Sequence, residues 1–104
     1  MTNQRKVSKE LLRFGRREYR EKRPVKVKIL RIKDTATFKR GLLPTLVVKQ
    51  RQAIQYVIIA EYFEINRIYL FSSNGILMGA ENIEKKSPVL EKLNKASKIL
   101  YHIP

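Results

Sequence analysis

The chain of 104 residues contains no cysteine, and this absence removes several kinds of chemistry at once. Disulfide bonds, thiolate metal sites and a cysteine nucleophile are all excluded. Lack of cysteine suits a reducing compartment, so the expected location is cytoplasmic. Long hydrophobic runs are also missing. The longest apolar stretch, residues 53–60, is interrupted by Gln55 and falls far short of the roughly 20 residues that a membrane-spanning helix requires. We therefore expect no transmembrane segment.

Groups that perform catalysis are scarce. The single histidine, His102, lies two residues from the C-terminal end of the sequence, and the four glycines never combine into a phosphate-binding loop. The sequence contains neither paired histidines nor a carboxylate-rich loop, so it does not indicate a metal site. Glu61 and Glu64 are an odd number of residues apart, so on a strand they face opposite sides, and a solvated edge is the favoured interpretation. We expect no enzyme activity, no metal and no cofactor.

Positive charge is abundant, and it is concentrated in the first half of the chain. Residues 1–51 hold 17 Lys and Arg against 4 acids, which gives a net charge of +13 there and +1 in residues 52–104. A nearly neutral half joined to a strongly basic half is typical of a folded body with a polyanion-binding face. The expected partner is therefore nucleic acid.

The first predicted element is a basic helix. Ser8 is a suitable N-cap for a helix from about residue 9 to residue 22, and Pro24 ends it. Glu18 stands four residues before Lys22, in the order that favours a weak surface ion pair. The arginines recur at spacings of three and four, which places them together on the side away from the few apolar residues. They are Arg13, Arg16, Arg17 and Arg20.

Strand patterns follow the helix. Residues 25–33 alternate apolar and basic side chains, with a slip at Ile29 and Leu30 that a bulge, a bend or a strand covered on both faces would explain. Short strands are predicted at residues 37–40 and 45–48. Residues 52–65 fit both helical and strand spacing, and their β-branched and aromatic content favours a strand.

The end of the chain gives two further signals. Asn74 and Gly75 supply the positive φ of a tight turn, which predicts a hairpin between residues 68–71 and 76–78. A final helix is predicted with Ser87 as cap and Pro88 at its first position. Its buried stripe is Val89, Leu93, Ala96 and Leu100.

Together these elements predict an α+β domain. It comprises an N-terminal basic helix, a four- or five-stranded antiparallel curved sheet or small barrel, and a C-terminal amphipathic helix. Residues 1–7 are expected to form a flexible basic start, and residues 8–104 a single nucleic-acid-binding domain.

Phosphate contacts require Lys and Arg groups arranged along one surface, and each contact releases counterions. Between residues 13 and 40 twelve cations stand among three acids, and arginine outnumbers lysine in residues 13–23, where guanidinium groups suit phosphate and base stacking. The candidate nucleic-acid-binding residues are Arg13, Arg16, Arg17, Arg20, Arg23, Lys26, Lys28, Arg31, Lys39 and Arg40.

The aromatic residues allow two interpretations. Tyr19, amid the arginines, would either stack on an exposed base or form the last core contact of the helix, and the core contact is favoured. Tyr56, Tyr62, Tyr69 and Phe71 would form either a base-stacking platform or part of the core, and the core is again favoured.

The resulting hypothesis is a small, basic, non-enzymatic RNA-binding component of a ribosome or other ribonucleoprotein. RNA is favoured over DNA, and other proteins of such a complex would be further partners. The alternative is a DNA-binding factor of winged-helix type, plasmid- or phage-borne, with residues 52–65 as recognition helix and 67–79 as wing. Against it, residues 56–59 would put large apolar groups into the groove. A third hypothesis is a scaffold whose basic helix lies on anionic lipid, for which the apolar face is thin.

Overall fold

A computed structural model of the protein describes residues 4–34 and 54–104. Within these ranges the chain forms two helices and five strands. The strands predicted at residues 37–40 and 45–48 lie outside the described residues. The elements are α1 (Gln4–Lys22), β1 (Lys26–Ile32), β2 (Ile54–Glu61), β3 (Ile65–Ser72), β4 (Leu77–Glu84), α2 (Val89–Ala96) and β5 (Ser97–Ile103).

The five described strands form one antiparallel sheet in the order β4-β3-β2-β1-β5. Strands β4 and β5 are the outer members of this order and do not pair with each other, so the sheet is open. The predicted α+β class and five-stranded antiparallel sheet are confirmed, and the small barrel is not formed.

The two helices cover opposite faces of the sheet, because alternate residues of the central strands enter two separate cores. Ile29 packs in the core beneath α1, while its neighbour Leu30 packs in the core beneath α2. Both side chains are fully buried. The core beneath α1 contains Val7, Leu11, Val27, Ile29, Tyr56, Ile58, Ala60, Tyr69 and Phe71.

This double coverage explains the slip in the pattern of β1. Pairing between β1 and β2 is regular from Lys26 to Arg31, whereas the register between β1 and β5 shifts between Ile29 and Leu30. Leu100 is the extra residue in β5 at this point, so the irregularity lies in the partner strand. The slip in β1 itself therefore follows from burial on both faces, and the bulge belongs to β5.

Residues 54–61 of the segment with ambiguous spacing form a strand, as predicted, whereas residues 62–64 connect it to β3. Strand β2 spans Ile54–Glu61, and its residues alternate between the two cores from Tyr56 to Ala60. The winged-helix alternative assigned its recognition helix to residues 52–65, and the described part of that segment provides no such helix.

The predicted hairpin joins β3 and β4. Gly75 has φ of +81° and donates its N–H to the carbonyl of Ser72 at 3.0 Å. The hydroxyl of Ser72 accepts from the N–H groups of Asn74 and Ile76, each at 3.2 Å. Glycine alone supplies the positive φ here, since Asn74 does not adopt it.

Helix α1 begins earlier than predicted. It starts at Gln4, so Ser8 lies inside the helix and is not its N-cap. Val7 is only 2% exposed and packs in the same core as Leu11, four residues later. Burial of this apolar residue on the helix face extends the helix through Ser8. Residues 4–7 therefore belong to α1, which ends at Lys22 as predicted.

Helix α2 is shorter than predicted. Its buried residues include Val89, Leu93 and Ala96 as expected, but the helix ends at Ala96 and Leu100 lies in β5. A strand was missed here, and it supplies backbone partners for the side of β1 that faces away from β2. At the start of the helix, the hydroxyl of Ser87 accepts the N–H of Val89 at 3.2 Å.

Helix α1 lies close to the sheet at Gly15. A Cβ atom at this position would lie 3.2 Å from Cδ1 of Ile29, 3.3 Å from Cδ1 of Ile103 and 3.4 Å from Cγ1 of Val27. The absence of a side chain thus lets the helix backbone rest on β1 and β5.

Gly15→Leu should therefore lower the free energy of unfolding by about 2 kcal/mol, because a side chain at this point overpacks the core. Urea unfolding measures the change. The control is Arg16→Leu on the exposed face of the same helix, which should stay within about 0.5 kcal/mol of the parent protein. Equal effects of the two variants would contradict the close approach.

Candidate nucleic-acid interface

Five cations form a stripe along the exposed face of α1. Residues three or four apart share a helix face, and every member of the stripe is exposed to solvent. From first to last they extend about 16 Å at 1.5 Å per residue. Together with Leu12 they line one groove on the surface. These residues, named the α1 stripe below, are Lys9, Arg13, Arg16, Arg17 and Arg20.

The stripe faces outward because the opposite side of α1 packs against one face of the sheet. Val7 and Leu11 enter the core, and the Phe14 ring packs edge-on against Tyr69 and Phe71 with centroid distances of 4.9 and 5.2 Å. The guanidinium carbon of Arg17 lies 5.7 Å from the centroid of Phe14, so Arg17 also contacts the aromatic cluster.

A buried carboxylate fixes the C-terminal half of the helix. Glu18 is 5% exposed. Its Oε2 accepts the hydroxyl protons of Tyr62 at 2.5 Å and Tyr69 at 2.8 Å. Its Oε1 lies 3.5 Å from Nζ of Lys22. Burying a carboxylate is costly unless such donors compensate, so these contacts hold Glu18 against β3 and the β2–β3 turn.

The hydrogen bonds continue from Glu18 across the sheet. The Tyr69 hydroxyl also accepts from Nζ of Lys22 at 3.3 Å and from Nε of Arg67 at 3.1 Å. Arg67 in turn donates an N–H from Nη1 to Oδ1 of Asn82 in β4 at 2.8 Å. We name Glu18, Lys22, Tyr62, Arg67 and Tyr69 the Glu18 network; it links α1 to the β2–β3 turn and β3, and Arg67 extends it to β4.

Only one part of this network follows from the sequence. The ion pair of Glu18 with Lys22 was predicted, whereas the burial of Glu18 was missed. A signal was present: Glu18 follows Phe14 by four residues and Leu11 by seven, and these spacings share one helix face. Lys9 was also missed, although it precedes Arg13 by four residues and this spacing places it on the same exposed face.

The network alters two ionisation equilibria. Burial raises the pKa of the Tyr62 hydroxyl, and its hydrogen bond to Glu18 raises it further. The hydrogen bond to Tyr69 and the charge of Glu18 raise the pKa of the Lys22 ammonium. Both groups are therefore held in their protonated forms in the folded protein.

The structure separates Lys26 and Lys28 from the stripe. Alternation along β1 places Lys26 and Lys28 on the α2 face, together with Leu30. Lys26 is ion-paired with Glu61 at 3.4 Å, and Lys28 lies opposite His102 in β5. The predicted basic residues thus do not form one continuous face.

Of the other four predicted residues, Arg23 and Arg31 lie within the described ranges. Arg31 is half-buried and shares the α1 face of the sheet with Ile29 by alternation. Arg23 is exposed directly after the last residue of α1. Lys39 and Arg40 lie outside the described residues. Of the ten predicted positions, the structure brings together Arg13, Arg16, Arg17 and Arg20, with Arg23 at their C-terminal end.

The sheet aromatics belong to the core. Tyr56, Tyr69 and Phe71 are 3, 4 and 3% exposed, so they present no stacking platform. Tyr62 is half-buried and bound to Glu18. Tyr19 differs, since it is 37% exposed and is not a member of either described core.

Residues 4–34 and 54–104 contain no helix with the length and apolar character needed to cross a bilayer. Comparisons with protein-family models, with curated proteins and with solved structures found no match to this chain.

The raised pKa values set the expected pH dependence of stability. A folded-state pKa above the ordinary tyrosine value of 10.0 means that Tyr62 contributes stability that is present below pH 10 and is lost as the pH rises above it. The raised pKa of Lys22 likewise gives a contribution to the free energy of unfolding that is lost at high pH. Tyr62→Phe should therefore make the decline above pH 10 less steep, as measured by urea unfolding at each pH.

The control is Tyr101→Phe, which removes a tyrosine outside the Glu18 network. Its free energy of unfolding should show the same pH dependence as that of the parent protein. A pH dependence unchanged by Tyr62→Phe would contradict the assignment.

Proposed function

We propose that the protein binds nucleic acid through phosphate contacts of the α1 stripe, as an RNA-binding component of a ribosome or other ribonucleoprotein. The observation that carries the proposal is the exposure of five cations along one face of a helix whose other face is fixed to the sheet. The cytoplasm, as a reducing and RNA-containing compartment, is the proposed location.

The charge pattern of the stripe supports a polyanion partner. Each of its cations that neutralises a phosphate releases condensed counterions, which favours binding at low salt. Four of the five are arginines, whose planar guanidinium groups bind phosphate oxygens in pairs. A length of about 16 Å, at 1.5 Å per helix residue, allows contact with several successive phosphates.

Two competing functions receive less support. A winged-helix factor would need a recognition helix where the chain has β2. A helix that lies on anionic lipid must bury its apolar face in the membrane, whereas Val7 and Leu11 of α1 are already buried against the sheet. Binding to RNA needs only the exposed face, which is the face that α1 presents.

The test is a triple variant, Arg13→Ala, Arg16→Ala and Arg20→Ala, with Arg17 retained because it contacts Phe14. Affinity for a structured RNA should fall, and the slope of log affinity against log salt should decrease by about one unit for each lost contact. Fluorescence anisotropy with nuclease-treated protein measures both quantities.

The matched control is Lys86→Ala, Lys92→Ala and Lys95→Ala, which removes the same charge from exposed residues in and beside α2. We expect a much smaller loss of affinity from this control. Equal losses in the two triple variants would show that only net charge matters, and tighter binding to duplex DNA than to RNA would contradict the RNA assignment.

A further inference from the structure

The α1 stripe ends in a shallow pocket at the C-terminal end of the helix. Tyr19, Arg20, Arg23 and Pro24 line a depression of about 400 Å³. Arg20 belongs both to this pocket and to the groove along the stripe. A nucleic-acid backbone held by the stripe would therefore reach the pocket without a gap.

The backbone at Arg23 is the second observation. Arg23 has φ of 51°, and among the described residues no other side-chain-bearing residue has a positive φ. Helices often end with a residue in this left-handed conformation, and glycine is the usual choice because a Cβ atom is penalised there. The N–H of Arg23 donates to the carbonyl of Tyr19 at 3.1 Å, a bond that glycine would make equally well.

The guanidinium of Arg23 is exposed, and it makes no ion pair or hydrogen bond with the described residues. No such interaction therefore compensates for the backbone strain at this residue. Residues kept in sparsely populated conformations cluster at functional sites. An arginine at a position that favours glycine therefore points to a ligand for its side chain.

We propose that this pocket binds one unpaired nucleotide, with its base stacked on Tyr19 and its phosphate held by Arg20 and Arg23. The inference rests on the proposed function and specifies its ligand. Stacking on aromatic and guanidinium planes is how proteins bind unpaired bases, and any base presents a suitable face. Bases inside a duplex are covered on both faces, so the ligand is RNA with an unpaired base in a loop, in a bulge or at an end.

The test compares two RNAs that carry equal numbers of phosphates. One is a hairpin with a short single-stranded 3′ extension, and the other carries an abasic extension of the same length. The wild-type protein should bind the base-bearing RNA about tenfold more tightly at near-physiological salt, because one base–aromatic stack is gained. Anisotropy titration measures both affinities.

Two variants assign this difference to the pocket. Tyr19→Leu should reduce the tenfold preference to about twofold or less and leave binding to the abasic RNA nearly unchanged. The matched control is Phe63→Leu, which removes the ring of an 89% exposed phenylalanine outside the pocket and should keep the preference.

Arg23→Gly separates binding from folding, since its two expected effects have opposite signs. The denaturation midpoint should rise, because glycine relieves the strain at positive φ. Affinity for the base-bearing RNA should nevertheless fall severalfold. A rise in stability with unchanged affinity would overturn the role of Arg23.

The outcomes distinguish the pocket from the stripe. Equal affinity for the two RNAs, or equal effects of Tyr19→Leu and Phe63→Leu, overturns the pocket. If the triple arginine variant still loses affinity in that case, the proposed function stands without it. Failure of the wild-type protein to bind either RNA overturns both proposals.

Discussion

The packing of α1 on the sheet is the constraint on which the surface of this protein depends. At Gly15 the helix backbone rests on β1 and β5, and at Glu18 a buried carboxylate is held by two tyrosine hydroxyls and an ammonium group. Both contacts lie on one side of the helix. The basic residues are consequently directed to the other side, where Arg17 also contacts the Phe14 ring.

The same packing determines which surfaces are left for a ligand. Strands β1 to β3 are buried on both faces, because α1 covers one side and α2 contributes to the core on the other. The aromatic side chains of β2 and β3 are used in folding and are closed to bases. In the part of the chain that the structure describes, helix surfaces, turns and sheet edges are therefore the surfaces that can contact a polyanion. The α1 stripe is a cationic surface of this kind.

Local patterns predicted the elements whose environment is local. The arginine spacing gave the exposed face of α1, Gly75 marked the hairpin, and β-branched residues identified β2. Each of these depends on residues close in sequence, so periodicity and turn chemistry suffice.

Features that depend on distant residues were missed. Glu18 is buried only because Tyr62 and Tyr69 reach it from the sheet, and an acid in a basic helix otherwise resembles a surface residue. β5 was interpreted as helix because Leu100 fits helical spacing, while its strand pairing depends on β1. The division of Lys26 and Lys28 from the stripe likewise depends on which sheet face α1 covers.

The position of β1 between β2 and β5 has a consequence for how the chain folds. Val27 pairs with Ile103, so one edge of β1 acquires its partner only after residues 97–103 have been synthesised. Contacts of such long sequence separation slow folding, because the loop must close before the contact forms. The core beneath α1 includes Ile103 at its margin, so it too is completed late. During synthesis β1 therefore leaves the ribosome with one strand edge unpaired, and β5 completes its pairing later.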